Sequence, residues 1–293
     1  ATSQPLQIRI HIASSTMAAA LETFPLPEED RRLMDSVAEI YQLSGYKESQ
    51  MVEMKKSVFE GHDDIPFQAY AYGEVYSPLV LFEALDSLGR EDVFCDLGSG
   101  RGQLVLAAAL ASSAARAMGV ELVAARHGAA EAAKGCAPQD VQDRVQFQCA
   151  DALKLDLSEV TKVFLNNTTF NAELSEQFAL ALSAQHAPRL KLLATCVKFP
   201  DSALAPSQLR LERVTAVGAG WAPSGWPLFV YRRCDAAGEA AADAQIVVAD
   251  EAAKQMLERR SAAARCTEAH DSSAEQEIAL LRNAMLAAAV RGS

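Results

Sequence analysis

Between Gly89 and Arg233 the spacing of apolar residues changes repeatedly, and this alternation restricts the fold more than any other feature of the chain. Short apolar or β-branched runs alternate five times with alanine-rich stretches of helical period, which predicts parallel strands joined by right-handed crossovers. The last two runs are close together and predict an antiparallel hairpin. The fold class is therefore α/β, with a doubly wound, mostly parallel seven-stranded sheet. The seven runs are DVFCD, AMGVE, VQFQCAD, KVFLNN, LKLLATCV, ERVTAV and PLFVYR.

Periodicity and composition divide the chain into three predicted parts. A helix is expected from Pro27 to about Gly45, because acidic residues fill its first turn and apolar residues recur at helical spacing. A second helix is expected to begin at Ser77, as N-cap, and to end at Gly89. The parts are a mainly helical segment (1–76), a domain that holds the sheet (77–235) and an Ala/Glu-rich helical extension (236–293).

Composition excludes several classes of function. The chain has 293 residues, six cysteines without CxxC spacing and no HExxH pair, so we expect a reducing compartment and no metal site. It has no apolar run long enough to span a bilayer and no basic start followed by an apolar run, so we expect neither a membrane span nor a signal peptide. A net charge of −11 argues against a broad phosphate-binding surface.

The stretch VFCDLGSGRGQ, residues 93–103, indicates a ligand site after the first strand. Its three glycines allow a tight turn and a close approach of a ligand to the backbone. Ligands of open parallel sheets bind beyond the carboxyl ends of the strands. Four polar side chains are predicted to lie at or just after the carboxyl ends of strands. They are Asp96, Glu121, Asp151 and Asn166. The alternative interpretation of the glycine stretch is a strand-to-helix turn that binds no ligand.

The acids of this edge favour S-adenosylmethionine over a dinucleotide. Gln103 stands where the dinucleotide pattern GxGxxG has its third glycine, and Asp96 would repel a pyrophosphate. S-adenosylmethionine has no phosphate and carries an ammonium, a sulfonium and a ribose diol, which suit carboxylates. We expect the glycines to accommodate its methionine part beside Asp96. Glu121 is then placed to accept from the ribose hydroxyls, and Asp151 from the adenine amino group.

These residues resemble a known enzyme family. DLGSGRGQ, with AYGEV before it, GVE after it and FLNNTTF at the fourth strand, is similar to the disruptor-of-telomeric-silencing histone-lysine methyltransferases over residues 65–235. The resemblance implies a class I, Rossmann-like S-adenosylmethionine-dependent methyltransferase. Such an enzyme would methylate a lysine of a protein, most of all of histone H-three in the nucleosome, and would act in the nucleus. The implied cofactor-binding positions are Tyr72, Glu74, Asp96, Gly98, Gly100, Gln103, Glu121, Asp151 and Asn166.

The resemblance also implies a channel for the acceptor lysine. Its residues would orient the amine, shape the mouth and exclude water, which lowers a lysine pKa. The resemblance assigns Asn166, Phe170 and either Phe229 or Tyr231 to this channel, and the chemistry of the reaction adds Trp226 as a further wall and Tyr72 at the mouth. The chain departs from the family pattern at Val75, where a threonine is usual after YGE, and at Thr168 and Thr169 within NNTTF.

Three functions remain open at this point. The first is methylation of a histone lysine, and the second is methylation of another protein or a small molecule, which would also suit the cytoplasm. The third is a non-catalytic binding module on the same fold. Enzymes that methylate the amino groups of bases commonly carry a polar-Pro-Pro-aromatic run at the fourth strand. This chain has no prolines at that point, so a nucleic-acid base is an unfavoured acceptor. Direct nucleic-acid contact would be local, with Lys55 and Lys56 as the candidate patch.

Overall fold

One mixed sheet organises the protein. The computed structural model describes residues 24–45, 73–234 and 247–248. Within these residues the sheet has eight strands in the order β3-β2-β1-β4-β5-β7-β6-β8. The strands are β1 (Val93–Leu97), β2 (Arg116–Glu121), β3 (Val145–Cys149), β4 (Lys162–Leu165), β5 (Leu192–Thr195), β6 (Leu209–Ala219), β7 (Ala222–Arg233) and β8 (Val247–Val248).

The predicted fold class is confirmed by the pairing of these strands. β1 lies between β2 and β4 and is parallel to both, and β3 and β5 continue the parallel arrangement outward. β6 and β7 form the expected antiparallel hairpin, and β7 pairs with β5. All five residues of β1 are buried, as expected of a parallel strand covered on both faces.

Helices cover the two faces of the sheet, and each face has its own apolar core. The first five helices pack on one face and the last two on the other. Among the described residues, no helix is long and apolar enough to cross a membrane. The helices are α1 (Glu28–Leu43), α2 (Pro78–Ala84), α3 (Gln103–Ala111), α4 (Ala124–Lys134), α5 (Gln139–Arg144), α6 (Ala172–Ala181) and α7 (Asp201–Ser207).

The start of α2 is held by an acid from α1. Ser77 stands at the predicted N-cap position, but its hydroxyl accepts a hydrogen bond from the N–H of Gly218 at 2.8 Å instead of capping the helix. The N–H of Leu79 donates to Asp30 Oδ1 at 2.7 Å. Asp30 is fully buried, so the first helix contributes both a cap and packing to the second.

Two element boundaries differ from the sequence predictions. α2 ends at Ala84 and not at Gly89, because Asp86 and Ser87 adopt positive φ values of 55° and 56°. Residues 247–248 form a strand parallel to β6, where a helix was predicted. The β-branched run Ile-Val-Val at this point favours the extended form. The rest of 236–293 lies outside the described residues, and its helical extension stays a prediction.

Candidate active site

A cleft opens at the carboxyl ends of the parallel strands, where β1 to β4 have polar residues at or just after their last positions. The empty space in this cleft, counted together with the open solvent at its mouth, is about 1090 Å³. Eight of the nine predicted cofactor-binding residues line it, and Tyr72, the ninth, lies outside the described residues. The eight are Glu74, Asp96, Gly98, Gly100, Gln103, Glu121, Asp151 and Asn166.

The loop from β1 to α3 forms one wall of the cleft. Its three glycines, Gly98, Gly100 and Gly102, all have positive φ, at 84°, 56° and 83°. The N–H groups of Gly98 and Ser99 both donate to the carbonyl of Val120, at 2.8 and 2.9 Å. The loop therefore folds back onto the end of β2 and starts α3 within a few residues.

Two of these glycines are required for different reasons. A Cβ at Gly102 would lie 2.3 Å from Phe147 Cζ, so the loop packs too closely on β3 for any side chain there. A Cβ at Gly98 would meet nothing within 4 Å. Since Gly98 lines the cleft, the space beside it is available to a ligand, whereas Gly102 serves the packing of the loop.

Glu121, the last residue of β2, has a fixed carboxylate. Its Oε1 accepts from the N–H of Val123 and its Oε2 from the N–H of Gly100, both at 2.8 Å. The guanidinium of Arg126, on α4, lies 4.0 Å from Oε1, and both side chains are buried. Each oxygen retains a second lone pair, so the carboxylate can still accept hydrogen bonds from a ligand.

Asp96, near the end of β1, has a strongly shifted pKa. Burial and, secondarily, the neighbouring carboxylate of Glu121 raise the pKa of Asp96 to about 8. A cation bound beside Asp96 would favour the ionised form and reverse this shift. The site is therefore suited to a positively charged ligand.

Two polar atoms of the same wall lack a partner among the described residues. They are Ser99 Oγ and Gln103 Oε1, which are buried and belong to residues that line the cleft. Buried polar groups are nearly always hydrogen-bonded in folded proteins. A ligand with an ammonium group beside Asp96 would supply donors here, so the residues present fit the amino-acid part of S-adenosylmethionine.

One end of the cleft is formed by Asp151 and a pair of aromatic rings. The carboxylate of Asp151 accepts from the N–H of Leu153 at 3.0 Å and lies 3.1 Å from Lys154 Nζ. Phe170 stacks on Phe178 of α6 with ring centroids 5.1 Å apart, and both rings line the cleft. This end combines an acceptor with flat apolar surface, as a nucleobase requires.

The other end is formed by Asn166 and the segment before α2. Asn166 Nδ2 makes a long contact of 3.5 Å with the carbonyl of Gly73. The ring of Trp221 lies so close to Gly73 that a Cβ there would be 2.5 Å from Cε3. Trp221 was not identified from the sequence, because it is a turn residue between β6 and β7 and belongs to no periodic pattern. Its closeness to a glycine next to Glu74 is visible only in three dimensions.

The aromatic residues predicted from the last strand do not line the cleft. Tyr231 is fully buried, its hydroxyl accepts from the N–H of Phe199 at 2.7 Å, and burial raises its pKa to about 12. Phe229, two residues earlier, faces the same core. Trp226 donates from Nε1 to the carbonyl of Cys196 at 2.7 Å. Neither Phe229 nor Tyr231 is among the residues that line this cleft, and the assignment of one of them to a lysine channel stays a prediction. Lys55 and Lys56 lie outside the described residues.

Comparison with known proteins gives one family match. Residues 51–191 match the model of a family described as histone methylation protein DOT1. The match includes Glu74, the glycine loop, Glu121, Asp151 and NNTTF, and it ends before the hairpin that holds Trp221. A search of the curated proteins found no similar sequence.

Solved structures resemble parts of the chain at low similarity. An RNA methyltransferase from Salinibacter ruber, in complex with S-adenosyl-L-homocysteine, is 22% identical over 55% of this chain and 93% of its own, with a TM-score of 0.39. A geranyl diphosphate C-methyltransferase from Streptomyces coelicolor is 16% identical over 54% and 78%, with a TM-score of 0.39. Magnesium protoporphyrin IX methyltransferase from Synechocystis is 15% identical over 69% and 100%, with a TM-score of 0.43.

Proposed function

We propose that this methyltransferase acts on the ε-amine of a protein lysine, first of all a lysine of a nucleosomal histone, because residues 51–191 match the model of the DOT1 family of histone methylation proteins. The observation that carries the proposal is the cleft itself. A buried acid suited to a cation, a fixed carboxylate and an amide lie along one edge of the sheet, within the matched segment.

The cofactor is S-adenosylmethionine, which supplies a methyl group on a sulfonium. We assign its ammonium to Asp96 and Gln103, since one is a buried acid and the other has an unpartnered acceptor. We assign its ribose hydroxyls to Glu121, whose carboxylate is already oriented by two backbone N–H groups. The adenine then belongs at the end formed by Asp151 and Phe170, so Phe170 serves the base in place of the lysine channel predicted for it.

The acceptor amine is assigned to the opposite end, beside Asn166 and Gly73. Transfer of a methyl group needs an uncharged amine held in line with the sulfonium, so positioning and desolvation supply most of the rate. The ring of Trp221 does not line the cleft but packs against Gly73, which does, and so helps to keep water from this end and favours the neutral amine. Asn166 is assigned to orient the amine through Oδ1, which would accept from the amine in place of its long 3.3 Å contact with the N–H of Thr168, while Gly73 and the Thr168 hydroxyl set the orientation of the amide.

A second acceptor class is favoured by one contact. Thr168 donates both its N–H and its hydroxyl to Asn166 Oδ1, at 3.3 and 2.9 Å. An amide oxygen has two lone pairs, so both are engaged by Thr168. An acceptor that needs no hydrogen bond from this oxygen, on another protein or a small molecule, is the alternative substrate. A histone acceptor places the enzyme in the nucleus, and the alternative is compatible with the cytoplasm.

The test uses the purified chain with S-adenosylmethionine labelled in its methyl group. Parallel reactions contain nucleosomes, free core histones, and a cell extract from which histones have been removed. Mass spectrometry then locates the methylated residue. Label on a histone lysine supports the proposal, and label on other proteins or small molecules alone supports the alternative. Asp96→Asn is the control, since it should abolish labelling of every acceptor.

A further inference from the structure

Arg101 lies inside the glycine loop and is buried, with 5% of its surface exposed. Its guanidinium pairs with the carboxylate of Glu74 through Nη2 and Oε1. Glu74 lines the cleft, whereas Arg101 lies behind it. The interactions of a buried ion pair must offset the free-energy cost of removing both charges from water. An ion pair in a loop that otherwise consists of small residues therefore indicates a specific role.

The first helix holds Arg101 by two contacts from one residue. The hydroxyl of Tyr41 donates to the carbonyl oxygen of Arg101. The Tyr41 ring also lies under the guanidinium, with 5.4 Å from Arg101 Cζ to the ring centroid. Tyr41 is on α1, so backbone and side chain of this loop residue are both positioned by a helix outside the sheet.

Glu74 is in turn fixed at its backbone by the β6–β7 turn. Its carbonyl accepts from the N–H of Gly220 at 2.9 Å, and Val75 forms a single bridge with Ala219. Side chain and backbone of Glu74 are therefore held by different elements, the glycine loop and the hairpin. The hairpin is also the element that brings Trp221 against Gly73.

We propose that Tyr41, Arg101 and Glu74 form a clasp through which α1 sets the cofactor affinity of the cleft, with Arg101 as a positioning residue for Glu74. The inference rests on the proposed function, since it takes the cleft to be the S-adenosylmethionine site. Four carboxylates line the described cleft, and the guanidinium balances one of them and keeps it turned toward the ligand. The Tyr41 hydroxyl fixes the peptide group that precedes Gly102 and so the course of the loop.

The test is a double-mutant cycle on cofactor affinity, measured by calorimetry with S-adenosylmethionine and S-adenosylhomocysteine on the full chain. Arg101→Met should weaken binding tenfold or more and Arg101→Lys should restore part of it, because hydrogen bonds to charged groups are the strong ones. If Arg101 acts through Glu74, then Arg101→Met should add little to Glu74→Gln. In contrast, it should add fully to Asp151→Asn at the far end of the cleft.

Tyr41→Phe tests the contribution of the helix, and Tyr231→Phe is its matched control. Both changes remove one buried hydroxyl that forms a hydrogen bond with the backbone, but Tyr231 lies in the core away from the cleft. Tyr41→Phe should weaken cofactor binding about three- to tenfold, while Tyr231→Phe leaves it unchanged at a similar cost in stability. At saturating cofactor both should turn over near the wild-type rate, so KM for cofactor rises and kcat does not fall.

The outcomes separate this inference from the proposed function. If the wild type binds S-adenosylmethionine while Tyr41→Phe and Arg101→Met bind it equally well, the clasp is overturned and the function stands. Additive effects of Arg101→Met and Glu74→Gln would overturn the role of Arg101 as a positioning residue. A wild type that binds no S-adenosylmethionine would overturn both. Thermal unfolding of each variant shows whether it is folded, and the Arg101→Lys and Tyr41→Phe variants keep the test open if Arg101→Met does not fold.

Discussion

Thr168 and Asn166 form a small hydrogen-bonded ring at the end of β4. The N–H and the hydroxyl of Thr168 both donate to Asn166 Oδ1, at 3.3 and 2.9 Å, which leaves Nδ2 facing the carbonyl of Gly73. The orientation of this amide is therefore set by a residue at which the chain departs from the pattern it resembles.

The contact predicts a difference between two substitutions. Asn166→Ala should lower turnover strongly while changing S-adenosylmethionine affinity little, because the amine loses its positioning group. Thr168→Val should lower turnover by about two- to tenfold, because the amide loses one neutral hydrogen bond. Thr168→Ser keeps the hydroxyl and should leave turnover unchanged. Single-turnover rates at saturating cofactor measure the effect. A wild-type rate for Asn166→Ala would remove Asn166 from the acceptor site.

Most of the sheet was predictable, because buried parallel strands read as apolar runs wherever helical stretches separate them. The polar residues at the ends of β1, β2 and β4 were predictable for the same reason, since each follows its run directly. The acceptor end was not. Phe229 and Tyr231 are two residues apart on β7 and therefore face the same side of the sheet. Which side that is depends on the strand order β5-β7-β6, and the spacing of apolar residues does not reveal this order.

The close packing of Gly102 on Phe147 predicts a large stability effect. Gly102→Ala would place a methyl group 2.3 Å from the Phe147 ring, at a φ of +83° that alanine disfavours. Strain of about 1–2 kcal/mol for the conformation and about 1–3 kcal/mol for overpacking should lower the free energy of unfolding.

Gly98→Ala is the matched comparison, because it has a similar φ of +84° but open space around the added carbon. It should destabilise the protein less and weaken cofactor binding more, since its methyl group would enter the cleft. Chemical denaturation and calorimetry on the same preparations distinguish the two effects. Equal losses of stability would show that the Phe147 contact relaxes at no cost.

The raised pKa of Asp96 predicts how stability without cofactor depends on pH. In the folded state this pKa is about 8, above the ordinary aspartate value of 3.8, so the folded protein binds more protons than the unfolded chain between these pH values. This contribution to stability is present at low pH and is lost as pH rises through about 8. Asp96→Asn should flatten this part of the profile, measured as melting temperature against pH. S-adenosylmethionine should stabilise the wild type increasingly as Asp96 ionises.

Glu121 is expected to carry a large share of cofactor affinity. Glu121→Ala removes an oriented, charged acceptor for two ribose hydroxyls, which should weaken binding tenfold or more. Glu131→Ala, on the exposed side of α4, is the control and should bind normally. Titration with NAD on the wild type tests the dinucleotide alternative. Unchanged affinity in Glu121→Ala, or tight binding of NAD, would contradict the assignment of the cleft.

The two phenylalanines Phe170 and Phe229 separate the base end of the cleft from the core. Phe170 lines the cleft and stacks on Phe178, whereas Phe229 packs in the core beyond it. Phe170→Ala should weaken binding of S-adenosylhomocysteine, because the adenine loses flat apolar surface. Phe229→Ala should leave that affinity intact while costing stability in line with a lost core ring, about 3 kcal/mol or less for a partly buried side chain. Calorimetry gives the affinities and denaturant titration the stabilities. If Phe170→Ala binds cofactor normally but turns over slowly, Phe170 belongs to the acceptor channel after all, and the adenine must rest on Leu153 and its neighbours.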